Sequence, residues 1–422
     1  MEDPREAART ALAAARARTL AITAGLDDAS ARARFDPGIS PLGWHLGHVA
    51  WQEECWVLRR CAGQAPIDPA LDGIYDSFRS EKASRSARIP PLEAIRAYVD
   101  RVREATLAFL EWAPLEGPLL GGGAVFRFLA NHERQHAETM VVALLLGRIE
   151  LHLEHAPPRE RSDGDGWCDF LPAGGCSFVV GSDGDPEGWD NERRAHVVEV
   201  EPFAIARQPV SNGAWLAFLE GGGYRDDRLW SEAGRRWRDR ERVEAPLHWR
   251  RGADGWERRT LRGWAPVDPL HPVAHVAFHE AEAFARWVGA RLPSEVEWEC
   301  AASWEGGAKR RWPGGATAAG ANLDLRFGDT TPCSREARSP VGAEEMAGNV
   351  WEWTASHFLP WPGFTPGIYA GYSAPWFGER HRVLRGGCWI TDPAVARATF
   401  RNWFEPEVRA FPSGLRLARD QR

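Results

Sequence analysis

Asn131-His132-Glu133-Arg134-Gln135-His136-Ala137-Glu138-Thr139-Met140 is the stretch on which the reading of this chain turns. It lies within 122–147, which follows Gly121-Gly122-Gly123, ends at Gly147 and carries apolar residues at helical spacing. On a helix His132 and His136 are i and i+4, so both imidazoles share one face, one turn apart. Two nitrogens so placed reach a single metal ion; the same spacing also suits a solvated or core-satisfied pair. The spacing His132-Glu133-x-x-His136 is that of zinc proteases. A bundle setting with no third ligand in the protease pattern argues against that chemistry. Gln135, beside the second histidine, is available to hydrogen-bond a substrate.

A third ligand is offered by Trp44-His45-Leu46-Gly47-His48. His45 and His48 are i and i+3, and a neighbouring bundle helix places one of them opposite the pair. His48 lies one turn before Gln52 and Cys55 on the inward stripe, whereas His45 reads as a helix-surface histidine. Three histidines with open coordination positions suit a catalytic Fe(II) or Zn, which sequence alone does not separate. His152 and His155 alternate with apolar residues and read as structural.

Outward from these motifs, residues 1–155 read as a four-helix bundle with helices near 4–24, 41–61, 91–113 and 122–147. Ser40-Pro41 is expected to supply an N-cap and a first-turn proline. The connection 62–90, containing Tyr75-Asp76-Ser77-Phe78-Arg79, is long enough for a functional loop. Polar residues 156–166 read as a linker. From 167 to 422 Gly, Pro, Trp and Asn punctuate short apolar runs, as in an irregular α+β domain. Only 210–220 and 279–290 look clearly helical, and 225–262 reads as an exposed insertion.

Composition bounds the function. The chain has 422 residues and a formal charge of −7, which gives no global reason to bind nucleic acid or anionic lipid. The N-terminus begins acidic without an apolar core region, and no apolar run is long enough to span a bilayer. Seven cysteines do not make a full disulfide framework, so a reducing cytoplasm is the expected location. Tryptophan is over-represented, 22 against 5 Tyr.

Several motifs carry a family resemblance. Residues 40–54 together with Asn131–Met140 resemble the DinB-like domain of the EgtB-like sulfoxide synthases of ergothioneine biosynthesis. The second half resembles the formylglycine-generating-enzyme (sulfatase-modifying factor) domain, a C-type-lectin-like fold. The matching stretches are Arg291-Leu292-Pro293-Ser294-Glu295-Val296-Glu297-Trp298-Glu299, Met346 to Thr354, Arg385-Gly386-Gly387-Cys388-Trp389 and Ser413 to Ala418. Physically, the first places Glu295, Trp298 and Glu299 at helical spacing. Met346–Thr354 ends in strand-like alternation, and the glycine pair permits unusual backbone angles.

The resemblance implies a non-haem Fe(II) held by His48, His132 and His136. It implies O2-dependent joining of a sulfur donor (cysteine or γ-glutamylcysteine) to imidazole C2 of hercynine, Nα-trimethylhistidine, giving a sulfoxide. Gln135 matches a position that hydrogen-bonds the substrate imidazole. Asn402 and Trp403 match the segment around the trimethylammonium, where an aromatic face suits a cation with no strong donor. Glu405 and Arg409 are expected to pair with the donor's ammonium and carboxylate. Arg79, Lys82 and Arg85 are further donor-side candidates.

Departures from the family pattern matter too. Phe358 occupies the position read as the family's catalytic Tyr, leaving Tyr372, Tyr369, His357 and Tyr75 as candidates for proton delivery. Cys388 stands where the fold usually has Ser, a possible donor contact or a small buried residue. No Cys pair follows the Gly386-Gly387 turn, which argues against copper-dependent formylglycine chemistry. Alternatives are a selenoneine synthase taking a selenosugar donor, a DinB-like metal-dependent thiol transferase, and a non-catalytic lectin-like binding module. The expected site lies between the two domains.

Overall fold

A computed structural model of the chain describes residues 3–157 and 166–421. It divides into two compact units, Met1–Leu153 and Glu154–Arg422. Most of the stretch read as a linker, 158–165, lies outside the described residues.

In the first unit the long helices are Pro4–Thr23, Leu42–Glu53, Leu92–Leu110 and Ala124–Gly147. Asp3 caps the first, accepting from the Arg5 N–H ahead of Pro4. The second departs from expectation at both ends. Pro41, not Ser40, is the capping position, because Ser40 Oγ accepts instead from Arg85 Nη1 at 2.5 Å. Beyond Glu53 the coil widens into a π-helix, Glu54–Cys61. The Glu54 side chain is fully buried and accepts from Arg59 Nε at 2.8 Å, the Ile67 N–H at 2.8 Å and the Tyr98 hydroxyl. The i, i+5 pairing of Glu54 with Arg59 matches the wider turn.

The bundle interior is not purely apolar. Arg16, Glu53, Arg103 and Glu133, one from each long helix, form a closed buried ion lattice. Arg103 grips Glu53 through Nε at 2.8 Å and Nη2 at 2.9 Å. Two positive and two negative groups leave the lattice neutral, the condition under which buried charge is tolerated.

The second unit is built on a sheet ordered Asn402–Phe404, Gly378–Arg385, Trp351–Phe358, Ser413–Leu415, with only the last pairing parallel. Helices Asn212–Glu220 and Phe278–Trp287 fall where periodicity placed them, and Glu295–Ser303 adds a third opened by a Ser294/Glu297 capping box. The region 225–262 is more ordered than an exposed insertion. It folds as helix Glu232–Glu241 and strands Trp249–Arg251 and Trp256–Thr260, which pair onward to Gly263–Pro266, and it buries Trp230 and Trp237.

The motifs that carry the resemblance in this unit are largely scaffold. Glu295 accepts both Arg401 Nε (2.8 Å) and Nη2 (2.9 Å). Glu299 takes Arg385, and Glu352 takes Arg416 and the Trp298 indole at 2.6 Å. These pairings are almost wholly buried, so Glu295, Glu299 and Glu352 each have an arginine partner in the core. The Arg385-Gly386-Gly387 turn has φ of 94° and 82° at its glycines, a left-handed path that glycine makes cheap.

Candidate metal centre and aromatic site

The ligand atoms of His48, His132 and His136 lie within 4.8 Å of one another in the first unit. His48 is brought in by Leu42–Glu53, the other two by Ala124–Gly147. Burial is the main cause that holds all three imidazoles neutral. It pushes His132 down to about 3, and His48 and His136 well below the usual range, with neighbouring histidines adding to the effect. Neutral imidazole is the form that binds metal.

The tautomer of His48 is set by the long connection. Its Nδ1 donates to the Tyr75 carbonyl at 2.7 Å, which leaves Nε2 as the ligand atom. Trp44 stacks on the His48 ring at 4.4 Å and 14°, its indole N–H donating to the Ile74 carbonyl at 2.7 Å. The Arg85 guanidinium sits 3.7 Å from the Trp44 ring centroid. Tyr75 fits only because residue 47 is glycine: a Cβ there would lie 2.1 Å from Tyr75 Cζ. The 62–90 connection is thus part of the histidine cluster, through a backbone carbonyl that no side-chain pattern advertises.

His45 corrects the sequence reading. It is 5% exposed, not a surface residue, and its Nδ1 lies 2.8 Å from His136 Nδ1. Glu133 does not face the imidazoles as a general base would. It is engaged by Arg16 and Arg103, so the protease-like spacing has another cause. Gln135 is half-buried on the same helix as His132 and His136. Tyr75 is 1% exposed. Arg79 is largely exposed beside Asp76 at 3.3 Å, Lys82 donates to the Gly38 carbonyl at 2.6 Å, and Arg85 is committed to Ser40, Ser77 and Ser80.

The second unit gathers a different group. Trp403 stacks on Phe358 at 4.2 Å and 7° and meets Tyr372 edge-on at 5.4 Å. Tyr372 in turn stacks on Trp189 at 3.7 Å. Asn402 and Trp403 lie on the strand whose preceding residue, Arg401, is clamped by Glu295, so the aromatic platform stands on a buried ion pair. Phe358 is fully buried, the packing partner of Trp403. Tyr369 is half-buried, its carbonyl accepting from the Tyr372 N–H at 3.0 Å. His357, on the Phe358 strand, keeps a buried Nδ1 without a hydrogen bond.

Other candidates are spent elsewhere. Glu405 pairs with Arg380 at 2.7 Å. Arg409 donates to the Ala245 carbonyl at 3.1 Å and lies 3.9 Å from the buried Glu280 carboxylate. Cys388 is fully buried and accepts from the Thr391 hydroxyl at 3.5 Å. Trp189 was missed; an isolated Trp in a loop carries no periodic signal.

A helical unit with a histidine cluster, joined to a sheet-based unit with an aromatic platform, defines the class. The DinB superfamily model matches residues 11–140, and the sulfatase-modifying factor enzyme 1-like domain model matches 165–421. The chain is 44% identical to the hercynine oxygenase of Mycobacterium tuberculosis over 97% of each chain. It is 42% identical to that of Mycolicibacterium smegmatis over 99% of each. Identity to the formylglycine-generating enzyme of Streptomyces coelicolor is 31%, across 59% of this chain and 88% of that one. The chain belongs to the hercynine oxygenase family, and it is an oxidoreductase. Among the described residues no helix is long and apolar enough to cross a membrane.

Proposed function

We propose that the chain is an Fe(II)- and O2-dependent enzyme of ergothioneine-type biosynthesis. It joins a thiol, cysteine or γ-glutamylcysteine, to imidazole C2 of hercynine. The balance is hercynine C–H plus R–SH plus O2 giving the C–S(=O)–R sulfoxide and water, a four-electron oxidation of the two organic partners. The observation that carries this reading is the neutral His48/His132/His136 cluster, its first two rings buried and His136 half-buried, with His48 Nδ1 already committed to Tyr75. An all-nitrogen set of three suits iron with open positions, and the relatives' printed name supplies hercynine. Iron held there supplies the one-electron chemistry that O2 needs.

The chain's own residues then divide the work. Gln135 hydrogen-bonds the substrate imidazole. Trp403, held flat by Phe358, offers its face to the trimethylammonium, with Asn402 beside it. Tyr372, Tyr369 and His357 are the groups assigned to proton delivery. Of those assigned to the donor, Arg79 keeps most of its guanidinium in solvent, whereas Glu405 and Arg409 must first leave Arg380 and Ala245.

The test is anaerobic Fe(II) loading followed by calorimetric titration with hercynine and with histidine. Iron-dependent binding of hercynine, much tighter than histidine, supports the reading, and thiol donors under O2 then yield the sulfoxide. Absence of hercynine binding to iron-loaded protein sinks it.

A further inference from the structure

Two neutral imidazoles whose nitrogens lie 2.8 Å apart, one ring buried and the other half-buried, share one proton between those nitrogens. For His45 and His136 there are two arrangements. If His45 Nδ1–H donates, the proton of neutral His136 sits on Nε2 and blocks the lone pair a metal would take. If His136 Nδ1–H donates to His45 Nδ1, the His136 Nε2 lone pair is free, and the His45 proton sits on its own Nε2. The histidine cluster decides between them. His136 stands with His48 and His132 as a ligand, which requires a bare Nε2, and His45 Nε2 is buried without a hydrogen-bond partner, so the contact to His136 is the hydrogen bond left to fix the His45 ring.

From this geometry we infer that His45 is a positioning residue for the metal centre: its Nδ1 accepts from His136 Nδ1–H, fixing the ring and tautomer that present His136 Nε2. The inference rests on the three-histidine reading. It repeats, with a side chain, what the Tyr75 carbonyl does for His48 at 2.7 Å. The two anchors come from different parts of the sequence, one turn before His48 on its own helix and the 62–90 connection. Both act on Nδ1, as outer partners of ligating histidines ordinarily do.

The experiment uses the full chain without activity as a readout. Co(II) is titrated anaerobically into the unsubstituted protein and into H45N, H45F and H136A, following the visible spectrum, with thermal unfolding of each metal-free form as the folding control. Asparagine keeps an acceptor near the Nδ1 position, whereas phenylalanine keeps the ring and removes it. H45F is expected to weaken Co(II) binding about 10- to 100-fold, with H45N restoring most of the affinity. Equal affinity and an unchanged spectrum in H45F, with H136A unable to bind, overturn the positioning role alone. Failure of the unsubstituted chain to bind Co(II) overturns both it and the three-histidine reading. Should H45F not fold, proton NMR of the Co(II)-loaded unsubstituted chain decides. A slowly exchanging, hyperfine-shifted His136 Nδ1–H, lost in H136A, supports the role, and its absence overturns it.

Discussion

Arg16 Nε donates to Glu133 Oε1 at 2.7 Å across the first and fourth bundle helices. The glutamate of a sequence that reads like a metalloprotease motif is therefore half of a buried ion pair. Arg103 holds its other oxygen at 3.0 Å. Removing one member of such a lattice strands an uncompensated charge. Glu133→Ala is expected to destabilise the first unit by about 3–5 kcal/mol, read as a lower urea midpoint. A midpoint within experimental error of the parent would show that the lattice contributes nothing and would reopen Glu133 as a chemical group.

Gly47 makes a second prediction. Because any Cβ there meets the Tyr75 ring, Gly47→Ala must displace Tyr75 and with it the carbonyl that holds His48 Nδ1. Overpacking of this kind costs about 1–3 kcal/mol. Metal affinity should fall along with stability, since the two share one contact. Metal titration and urea unfolding of the same variant check this. A loss of stability with unchanged metal affinity would separate Tyr75 from the centre.

Much of this architecture was legible in advance, and what was not has physical reasons. His132 and His136 share a face by helical geometry alone, and the helix and strand motifs of the second unit follow their periodicities. His45 was misread because i, i+3 spacing beside His48 does not say which histidine faces inward. Leu42–Glu53 is buried along its whole length, so no polar stripe marks an outer face. The Tyr75 contact is made by a backbone carbonyl, which every residue has. The helix 225–262 contributes was hidden by its Arg and Glu content, since its burial rests on Trp237 rather than on an apolar stripe. Trp189 reaches Tyr372 only through tertiary structure.

Trp403 is the third test. On the proposed reading its face receives the trimethylammonium, a contact worth about 0.5–2 kcal/mol. Trp403→Ala should weaken hercynine binding by about 2- to 30-fold by that scale, and histidine binding much less, because a primary ammonium keeps its hydrogen bonds. Calorimetry on iron-loaded protein with both ligands measures the difference. Equal losses for the two ligands would make Trp403 a packing residue only. Phe358→Ala serves as the contrast. It removes the ring beneath Trp403 and should cost about 3–5 kcal/mol of stability in addition to any effect on hercynine.

The last prediction concerns pH. Burial, the largest cause, holds the His275 imidazole down to about 4; hydrogen bonds to the Arg409 and Ala410 backbone oppose it, and the smaller effects of the Arg258 and Arg409 charges reinforce it. The His248 ring lies edge-on at 4.7 Å. In the unfolded chain the same group titrates near the ordinary histidine value of about 6.5. Between those values the unfolded state binds more protons than the folded one, so stability rises with pH across the window and is lost as pH falls below about 6.5. The slope from this residue approaches about 1.4 kcal/mol per pH unit. His275 has φ of 62°, and asparagine tolerates that left-handed conformation, so His275→Asn removes the titration with little backbone strain. Urea unfolding at pH 7 and pH 5 should find the parent losing about 2 kcal/mol more than the variant over that interval. Parallel losses would mean that His275 is protonated in the folded state and that its burial carries no pH cost.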